Sequence, residues 1–536
     1  MTEYTAKPEP RTVPEEDSGR LTEASRGRLI GILVTLVLFT EIVPLQIAMV
    51  TMILPQIGRS FPESGSSTSW AITILGVASG ATMALVGKAA DLYGKKRLLL
   101  VCSGLFVLGS LTCALTASWP LFLAGRGVAS VSWGMAVVNY GIIRDLFPRR
   151  WIPIAVGFIG TGLGVASIIG PVVCGLLTDS LSWRSVFWFL VIYMLVMIPV
   201  LAWVVPESEV RVRQRFDVLG ALLFGGGVGV TLIYLSEGGT WGWTAMKSLG
   251  FLLGGLFLLV LFVLWERRVD EPMMELSLLR SPVVLIVMVA SFFFTGVQSL
   301  IAVLTAYLFE TPSASELHHE IAQGVAAKAG APASIMERFI TLDGDVGYAA
   351  GYSVLELALR ISVWIAVFTM IFGPVGGYIA RRIGARIPMI VAGVSVCAAC
   401  ALWINWHSTW QEQVSIGLLL GLGSGFFFAA WPNLVMDAVP ASRQGVSTGV
   451  VQVFGGVGTS VSTALLASVL ASYPLRMTIA APGAQPVTTT VPQVYTDAGF
   501  SQAYLLLGAL PCAAVIVLAL VLRAGRVPAR GGEPLV

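Results

Sequence analysis

The chain has 536 residues, of which 56% are hydrophobic and only 12% are charged, and its mean hydropathy is +0.83. A soluble domain of this length does not need so large an apolar excess for its core, so the composition excludes a soluble protein and indicates a polytopic membrane protein. The formal net charge of +3 is small. Where the cations fall along the chain is more informative than their sum.

Long apolar runs predict about fourteen transmembrane helices. Residues 1–28 precede them, are polar and lack the apolar core of a signal peptide, so we expect a disordered cytoplasmic tail there. The predicted spans are 29–55, 70–88, 97–117, 120–144, 152–178, 184–205, 217–236, 249–266, 282–309, 356–380, 387–406, 412–437, 446–471 and 501–523.

The loop cations predict the topology. Most Lys and Arg residues outside the N-terminal tail fall in one of the two alternating loop sets, as at Arg144, Arg381 and Arg523. Cationic loops stay on the cytoplasmic side, and an even number of spans leaves both termini there. We therefore expect a multi-pass protein of the cell (inner) membrane, with residues 524–536 as a second cytoplasmic tail.

Residues 87–97 form a basic turn between two predicted spans and read Gly-Lys-Ala-Ala-Asp-Leu-Tyr-Gly-Lys-Lys-Arg. This turn, the signature loop below, resembles the cytoplasmic signature loop of the major facilitator superfamily. The resemblance implies a latch between two conformations, formed by Gly87, Asp91, Gly94 and Lys95. A simple cationic turn is the alternative interpretation.

A second basic turn suggests that the chain consists of two related halves. Residues 373–386 again join an apolar helix to a Gly-spaced cationic turn, with Arg381 in the place of Asp91, so we expect the latch in the first half only. The resemblance implies an all-α major facilitator fold of the fourteen-span drug:proton antiporter branch. Its six-helix halves would be 29–205 and 282–523, around an inserted pair at 217–266, with long outward loops at 310–355 and 471–500. An amphipathic helix is expected in the first of these loops.

The fifth predicted span is rich in small residues, which allow helices to approach closely. It resembles the antiporter motif of the superfamily, with Gly157, Ala166, Gly170, Pro171 and Gly175 at the matching positions. Ala166 and Cys174 replace two glycines of that motif. Ordinary helix packing is the alternative.

Two charged residues stand out within the predicted spans of the first half, Glu41 in the first span and Arg126 in the fourth. Charges are costly in hydrocarbon, so each is a functional hypothesis by default. Counted along straight helices, the two reach nearly the same depth, and a Glu41–Arg126 pair could couple proton binding to movement. A static ion pair is the alternative.

One position departs from the relatives of this branch. They carry an Asp in the first span where this chain has Gln46, if Pro55 is aligned with their conserved Pro. Gln46 cannot titrate. This departure favours a lipid or natural-product exporter as the alternative to a proton-driven drug exporter.

Polar and aromatic side chains within spans are the substrate-cavity candidates. A cavity of this kind suits amphipathic or hydrophobic cargo better than sugars or phosphates, although such residues also serve simply to pack helices. They are Gln46, Trp133, Asn139, Tyr140, Gln298, Trp364, Trp431 and Asn433.

The leading prediction is a secondary active exporter of amphipathic or hydrophobic organic compounds, working by proton antiport and alternating access. We expect no enzyme activity, cofactor, metal or nucleic-acid partner, because we find no converging nucleophile and base, no metal-ligand spacing and no nucleotide-binding loop. A membrane enzyme or a channel remains a remote alternative. The expected partners are the lipid bilayer, the substrate and protons, and the chain is expected to act as a monomer.

Overall fold

Helices form wherever the sequence is continuously apolar, because a helix satisfies its backbone hydrogen bonds within the segment. The computed structural model describes residue 21 and residues 24–148, 151–208, 217–269, 281–329, 332–439, 444–480 and 485–522, with the backbone alone at some positions inside helices. Within these ranges the α-helices are α1 Arg26–Thr40, α2 Ile42–Met52, α3 Leu54–Ser60, α4 Trp70–Tyr93, α5 Lys95–Leu115, α6 Trp119–Ala129, α7 Val131–Leu146, α8 Ile152–Ser180, α9 Arg184–Val204, α10 Val218–Trp241, α11 Met246–Glu266, α12 Pro282–Glu310, α13 Ala314–Ala329, α14 Ala333–Met336, α15 Val354–Leu357, α16 Val363–Ile383, α17 Arg386–Trp403, α18 Trp410–Ala438, α19 Gln444–Ala471, α20 Asp497–Ala503 and α21 Leu510–Val521.

In the described part of the chain, twelve helical segments are long and apolar enough to cross a membrane. Helices α4 and α8 contribute shorter apolar stretches, Ser67–Ala78 and Val165–Ser180. Every predicted span coincides with a helix, whereas the number fourteen stays a prediction.

Two of the predicted spans are interrupted. The first is divided at Glu41, because Pro44 has no N–H to continue the hydrogen-bond ladder into α2. The fourth is divided at Ser130, whose hydroxyl donates to the Gly127 carbonyl at 2.6 Å. Shorter irregularities occur in the second half, where π-helical turns cover Ala358–Ser362 and Tyr504–Ala509.

The helices pack as two bundles and a pair. In the first bundle, α1–α9, the closest neighbours include α5 with α9 and α4 with α7; in the second, α12–α21, they include α12 with α19 and α16 with α18. The pair α10 and α11 pack on each other, and α10 also lies against both α4 and α19. Helix α10 therefore contacts both bundles.

The two long loops join in a three-stranded antiparallel sheet that the sequence analysis did not predict. Strand β1, Ile340–Asp343, comes from the first loop, and β2, Pro474–Ile479, and β3, Val487–Tyr495, come from the second. The order is β1-β2-β3, with Ile340 paired to Ile479 and Asp343 to Arg476. A helix in the first loop was expected, and α13 occupies that position. We call the end of the molecule that carries this sheet the sheet face.

Candidate functional site

Glu41 lies at the break between α1 and α2. Its backbone N–H points at the carbonyl oxygens of both Val37 and Leu38, at 3.1 and 3.2 Å. The side chain is only 6% exposed, and neither carboxylate oxygen has a hydrogen-bond partner among the described residues. Tyr140 and Tyr193 are within electrostatic range of it. A buried carboxylate with no partner is costly, so the position calls for an explanation beyond packing.

A polar seam joins this break to α7. The Asn139 amide donates to the Thr40 hydroxyl at 2.8 Å, and the Gln46 amide donates to the Ser132 hydroxyl at 2.5 Å. Gln46 and Asn139 are fully buried, and each has a side-chain oxygen without a partner among the described residues. The sequence analysis named Gln46 and Asn139, and the structure places Asn139 against Thr40, the residue before Glu41, and Gln46 against Ser132.

Arg126 lies elsewhere in the first bundle. It is 1% exposed, its Nε donates to the Ala71 carbonyl at 2.8 Å, and its guanidinium carbon is 5.8 Å from the centre of the Phe187 ring. The predicted Glu41–Arg126 pair is not formed in this conformation. The Thr40–Asn139 bond places the Glu41 turn beside Asn139, thirteen residues from Arg126 and therefore about 20 Å along the α6–α7 axis. The depth estimate failed because the first helix does not end near Pro55 but continues through α3 to Ser60.

The signature loop is held by contacts within the first bundle. Lys95 Nζ is 2.7 Å from Asp145 Oδ2, and both side chains are almost fully buried. The Glu207 carboxylate accepts hydrogen bonds from the backbone N–H groups of Lys96 and Arg97, at 3.0 and 3.1 Å, and so satisfies the first turn of α5. Gly94 has a φ of 104°.

The sequence analysis missed Asp145 and Glu207. Each lies far from the loop along the chain, so no local pattern reveals the contact. An acidic residue at the end of the fourth span, next to Arg144, was the one available signal for Asp145. Gly87 is half-buried beside Val137, and the side chain of Asp91 lies outside the described residues. The latch stays a prediction.

Helix α8, in which the antiporter motif was predicted, contacts the second bundle. A Cβ on Gly175 would lie 2.4 Å from the Cα of Leu355, so this glycine permits the backbones of α8 and α15 to touch. The nearby Asp179 carboxylate accepts from the backbone N–H groups of Val354 and Leu355, both at 3.2 Å. Asp179 was also missed by the sequence analysis.

The remaining motif positions of α8 face the first bundle or are not described. Gly170 lies against Leu45 of α2, Pro171 is inside the helix and Ala166 is buried. The surroundings of Gly157 lie outside the described residues. Close packing at this motif is thus seen at Gly170 and Gly175.

The other cavity candidates are spread over both bundles. In the first, Trp133 and Tyr140 are half-buried, and the Trp133 indole N–H has no partner among the described residues. In the second, the Gln298 amide donates to the Ser424 hydroxyl, and the Asn433 amide donates to the Ala429 carbonyl at 2.7 Å. Trp431 is half-buried and Trp364 is 48% exposed. Among the residues that the structure describes, no three His, Cys, Asp or Glu side chains converge on a metal position.

This architecture and these motifs match one protein family. The sequence model of the Major Facilitator Superfamily covers residues 36–340 and 339–534. The chain belongs to the major facilitator superfamily. It is accordingly a membrane transporter and not an enzyme.

Two similar proteins are named for drug resistance or for antibiotic resistance and export. The multidrug resistance protein Stp of Mycobacterium tuberculosis is 28% identical over 432 residues, which cover 79% of this chain and 72% of the relative. The tetracenomycin C resistance and export protein of Streptomyces glaucescens is 24% identical over 460 residues, 83% of this chain and 77% of the relative. The crystal structure of a D-xylose-proton symporter has a TM-score of 0.58 at 12% identity and covers 95% of this chain and 100% of that one, which shows a shared fold alone.

Proposed function

We propose that this major facilitator is a secondary active exporter of amphipathic or hydrophobic organic compounds, driven by proton antiport. The observation that carries the proposal is Glu41, a carboxylate buried within a span and without a hydrogen-bond partner among the described residues. Such a group is stable in hydrocarbon when it is neutral, so it can take a proton from one side of the membrane and release it to the other when its surroundings change. Arg126 remains a candidate partner in a conformation that brings α2 and α6 closer.

The fold supports a specific arrangement for this transport. We place α4 and α8 in the membrane with the twelve segments, which gives fourteen spans and both termini in the cytoplasm. The domains are then the tail 1–28, the halves 29–205 and 282–523, the inserted pair 217–266 and the tail 524–536. In this orientation the sheet face is the outer side of the cell (inner) membrane.

The contacts between the bundles favour an inward-facing conformation. Thr73 and Thr463 are hydrogen-bonded at 2.9 Å, the Ser460 hydroxyl donates to the Thr73 carbonyl at 3.0 Å, and Asp179 binds the start of α15. These contacts lie toward the sheet face. Movement of one bundle against the other would open this face and close the opposite one, with the signature loop as the latch of the first half.

The polar and aromatic residues of the first bundle and the names of the two relatives support the proposed substrate class. Gln46 of α2 and Trp133, Asn139 and Tyr140 of α7 lie in the first bundle with Glu41, and they offer aromatic surface with a few hydrogen-bonding groups. One acid among aromatic rings favours amphipathic compounds, cations in particular. The names of the two relatives, for multidrug resistance and for tetracenomycin C export, point in the same direction.

Everted membrane vesicles test the coupling. We expect wild-type vesicles to accumulate a cationic amphipathic dye and to lose protons from their lumen as they do so. Glu41→Gln should lose both pH-driven uptake and proton release, because its amide cannot titrate. Glu63→Gln is the matched control, since Glu63 is exposed near the sheet face. Proton-driven uptake that survives in Glu41→Gln would sink the coupling role.

A second candidate is an exporter of a lipid or a natural product that is not strictly proton-coupled. The observation that favours it is Gln46, which is buried and hydrogen-bonded to Ser132 where the drug-exporting branch has an acid. Reconstituted protein that moves a labelled lipid without any pH change, and ignores the dye, would support this candidate over the first.

A further inference from the structure

Gln493 of β3 has an unusual backbone. Its φ of 60° is the one positive value among the non-glycine residues that the structure describes. It lies where the pairing of β2 and β3 is irregular, since Tyr495 pairs with Pro474 but Thr490 already pairs with Arg476. Such a bulge turns a side chain out of the strand, and a strained backbone persists only where surrounding contacts hold it.

The side chain of Gln493 reaches both bundles. Its Oε1 accepts a hydrogen bond from the Tyr307 hydroxyl of α12 at 2.9 Å, and its Nε2 donates to the Thr68 hydroxyl at 3.3 Å. Thr68 belongs to the 3₁₀-helix Pro62–Ser69 of the first bundle. A Cβ on Gly58 of α3 would lie 2.7 Å from Gln493 Cδ, so only glycine leaves room for the amide there.

The space below this side chain is small. A cavity of about 20 Å³ separates the bundles here, with walls from Leu54 and Thr68 on one side and Tyr307 and Ala467 on the other. It has room for about one water molecule and none for cargo. Gln493 lies at its edge, at the point where the sheet meets the seam between the bundles.

We propose that Gln493 holds the two bundles together at the sheet face, so that its amide stabilises the conformation in which this face is closed. The proposal rests on the alternating access proposed above. When the face opens, Thr68 and Tyr307 separate, the amide can no longer bond to both, and the backbone of β3 no longer needs its left-handed conformation. The bridge therefore favours one conformation without touching cargo or protons.

Thiol labelling measures the equilibrium between the conformations in which the sheet face is closed and open. The probe is Ala467→Cys in a full-length chain whose six native cysteines are replaced, treated with a membrane-impermeant maleimide from the sheet side. We expect Gln493→Ala to raise the labelling rate about fivefold, the shift that the loss of one typical hydrogen bond produces. Gly58→Ala and Tyr307→Phe should act in the same direction, since the first displaces the amide and the second removes a donor.

Two further variants distinguish the loss of the Gln493 bridge from a general distortion of strand β3. Gln493→Gly accepts the positive φ without strain but lacks the amide, so it should label as fast as Gln493→Ala. Thr489→Ala, an exposed position on the same strand, should label like the parent. Labelling at the parent rate in Gln493→Gly and Gly58→Ala would overturn the proposal. So would labelling of Thr489→Ala as fast as that of the Gln493 variants. If labelling responds as expected but no variant, nor the wild type, shows pH-driven uptake, the bridge stands and proton antiport fails.

Discussion

The signature loop and its counterpart in the second bundle, residues 377–386, are built on the same turn. Gly94 and Gly384 have φ values of 104° and 93°. In each turn the glycine N–H closes the preceding helix, by bonding to the Ala90 carbonyl at 3.1 Å and to the Ala380 carbonyl at 3.0 Å. The next helix, α5 or α17, starts within two residues. The local backbone design is therefore shared.

The anchors of the two turns differ. The first is held by carboxylates, Asp145 on Lys95 and Glu207 on the N-terminus of α5. In the second, Arg386 Nε donates to the Ala519 carbonyl at 3.1 Å and Nη2 to the Leu520 carbonyl at 2.5 Å, in the C-terminal turn of α21, where carbonyl groups lack partners within the helix. Two turns of the same shape thus have different anchors: carboxylates, one of them in a buried ion pair, in the first bundle, and a guanidinium on helix-end carbonyls in the second.

The largest expected loss of stability comes from breaking the buried Lys95–Asp145 ion pair. Asp145→Asn should destabilise the protein by about 3–5 kcal/mol, because the Lys95 ammonium stays buried without its counter-charge. The measurement is the melting temperature of purified protein in detergent. Lys95→Met combined with Asp145→Leu is the control, and this double variant should regain much of the lost stability, since no buried charge remains. If Asp145→Asn melts like the wild type, the pair does not anchor the loop.

Replacing the glycines of the two turns should cost less stability than breaking the ion pair, and the two losses should differ. Gly384→Ala should cost about 1–2 kcal/mol from the left-handed backbone alone. Gly94→Ala should cost more, because its Cβ would also lie 3.1 Å from the Glu207 carboxyl group and push it from the start of α5. Melting temperatures of the two variants, each compared with the wild type, check the order. If Gly94→Ala loses no more stability than Gly384→Ala, the Glu207 side chain can move aside without cost and does not constrain this turn.

The smallest expected effects come from the anchors at the helix ends. Glu207→Gln keeps one acceptor oxygen for α5 and should cost about 1 kcal/mol, the usual value of an N-terminal cap. Arg386→Lys keeps the charge of the second anchor but loses the planar fork that reaches two carbonyls, and it should cost about as much. High salt should weaken both anchors, since each places a charge at the helix end of opposite partial charge. Melting curves of the wild type and the two variants at low and high salt check this.

The sequence predicted the helical fold well because its signals are local. Apolar runs, Gly-spaced turns and the positions of cations each depend on a few neighbouring residues, and every predicted span coincides with a helix. The sheet was missed because β1 and β2 are more than 130 residues apart along the chain. The run from Val487 to Val491, with three threonines between two valines, is the one signal that favoured a strand.

The site was predicted less completely. Gln46, Asn139 and Tyr140 were named, and of these Asn139 bonds to Thr40, the residue before Glu41, and Tyr140 interacts with Glu41 electrostatically. The Glu41–Arg126 pair was not found, because a count of residues along straight helices ignores the break before Pro44 and the extension through α3. Asp145, Asp179 and Glu207 act on partners that fold against them from distant segments, and only the tertiary structure reveals such contacts.

Helix α10 has a consequence for how cargo in the bilayer could approach the protein. A Cβ on Gly229 would touch Val77 of α4, and one on Gly239 would overlap Ser468 of α19, so α10 lies closely over the line where the two bundles meet. On the other side, α8 meets α15 and α16 directly, with no added helix over them in the described part of the chain. Under the transport proposed above, we therefore expect lateral access from the membrane to be one-sided, along α8, the helix in which the antiporter motif was predicted.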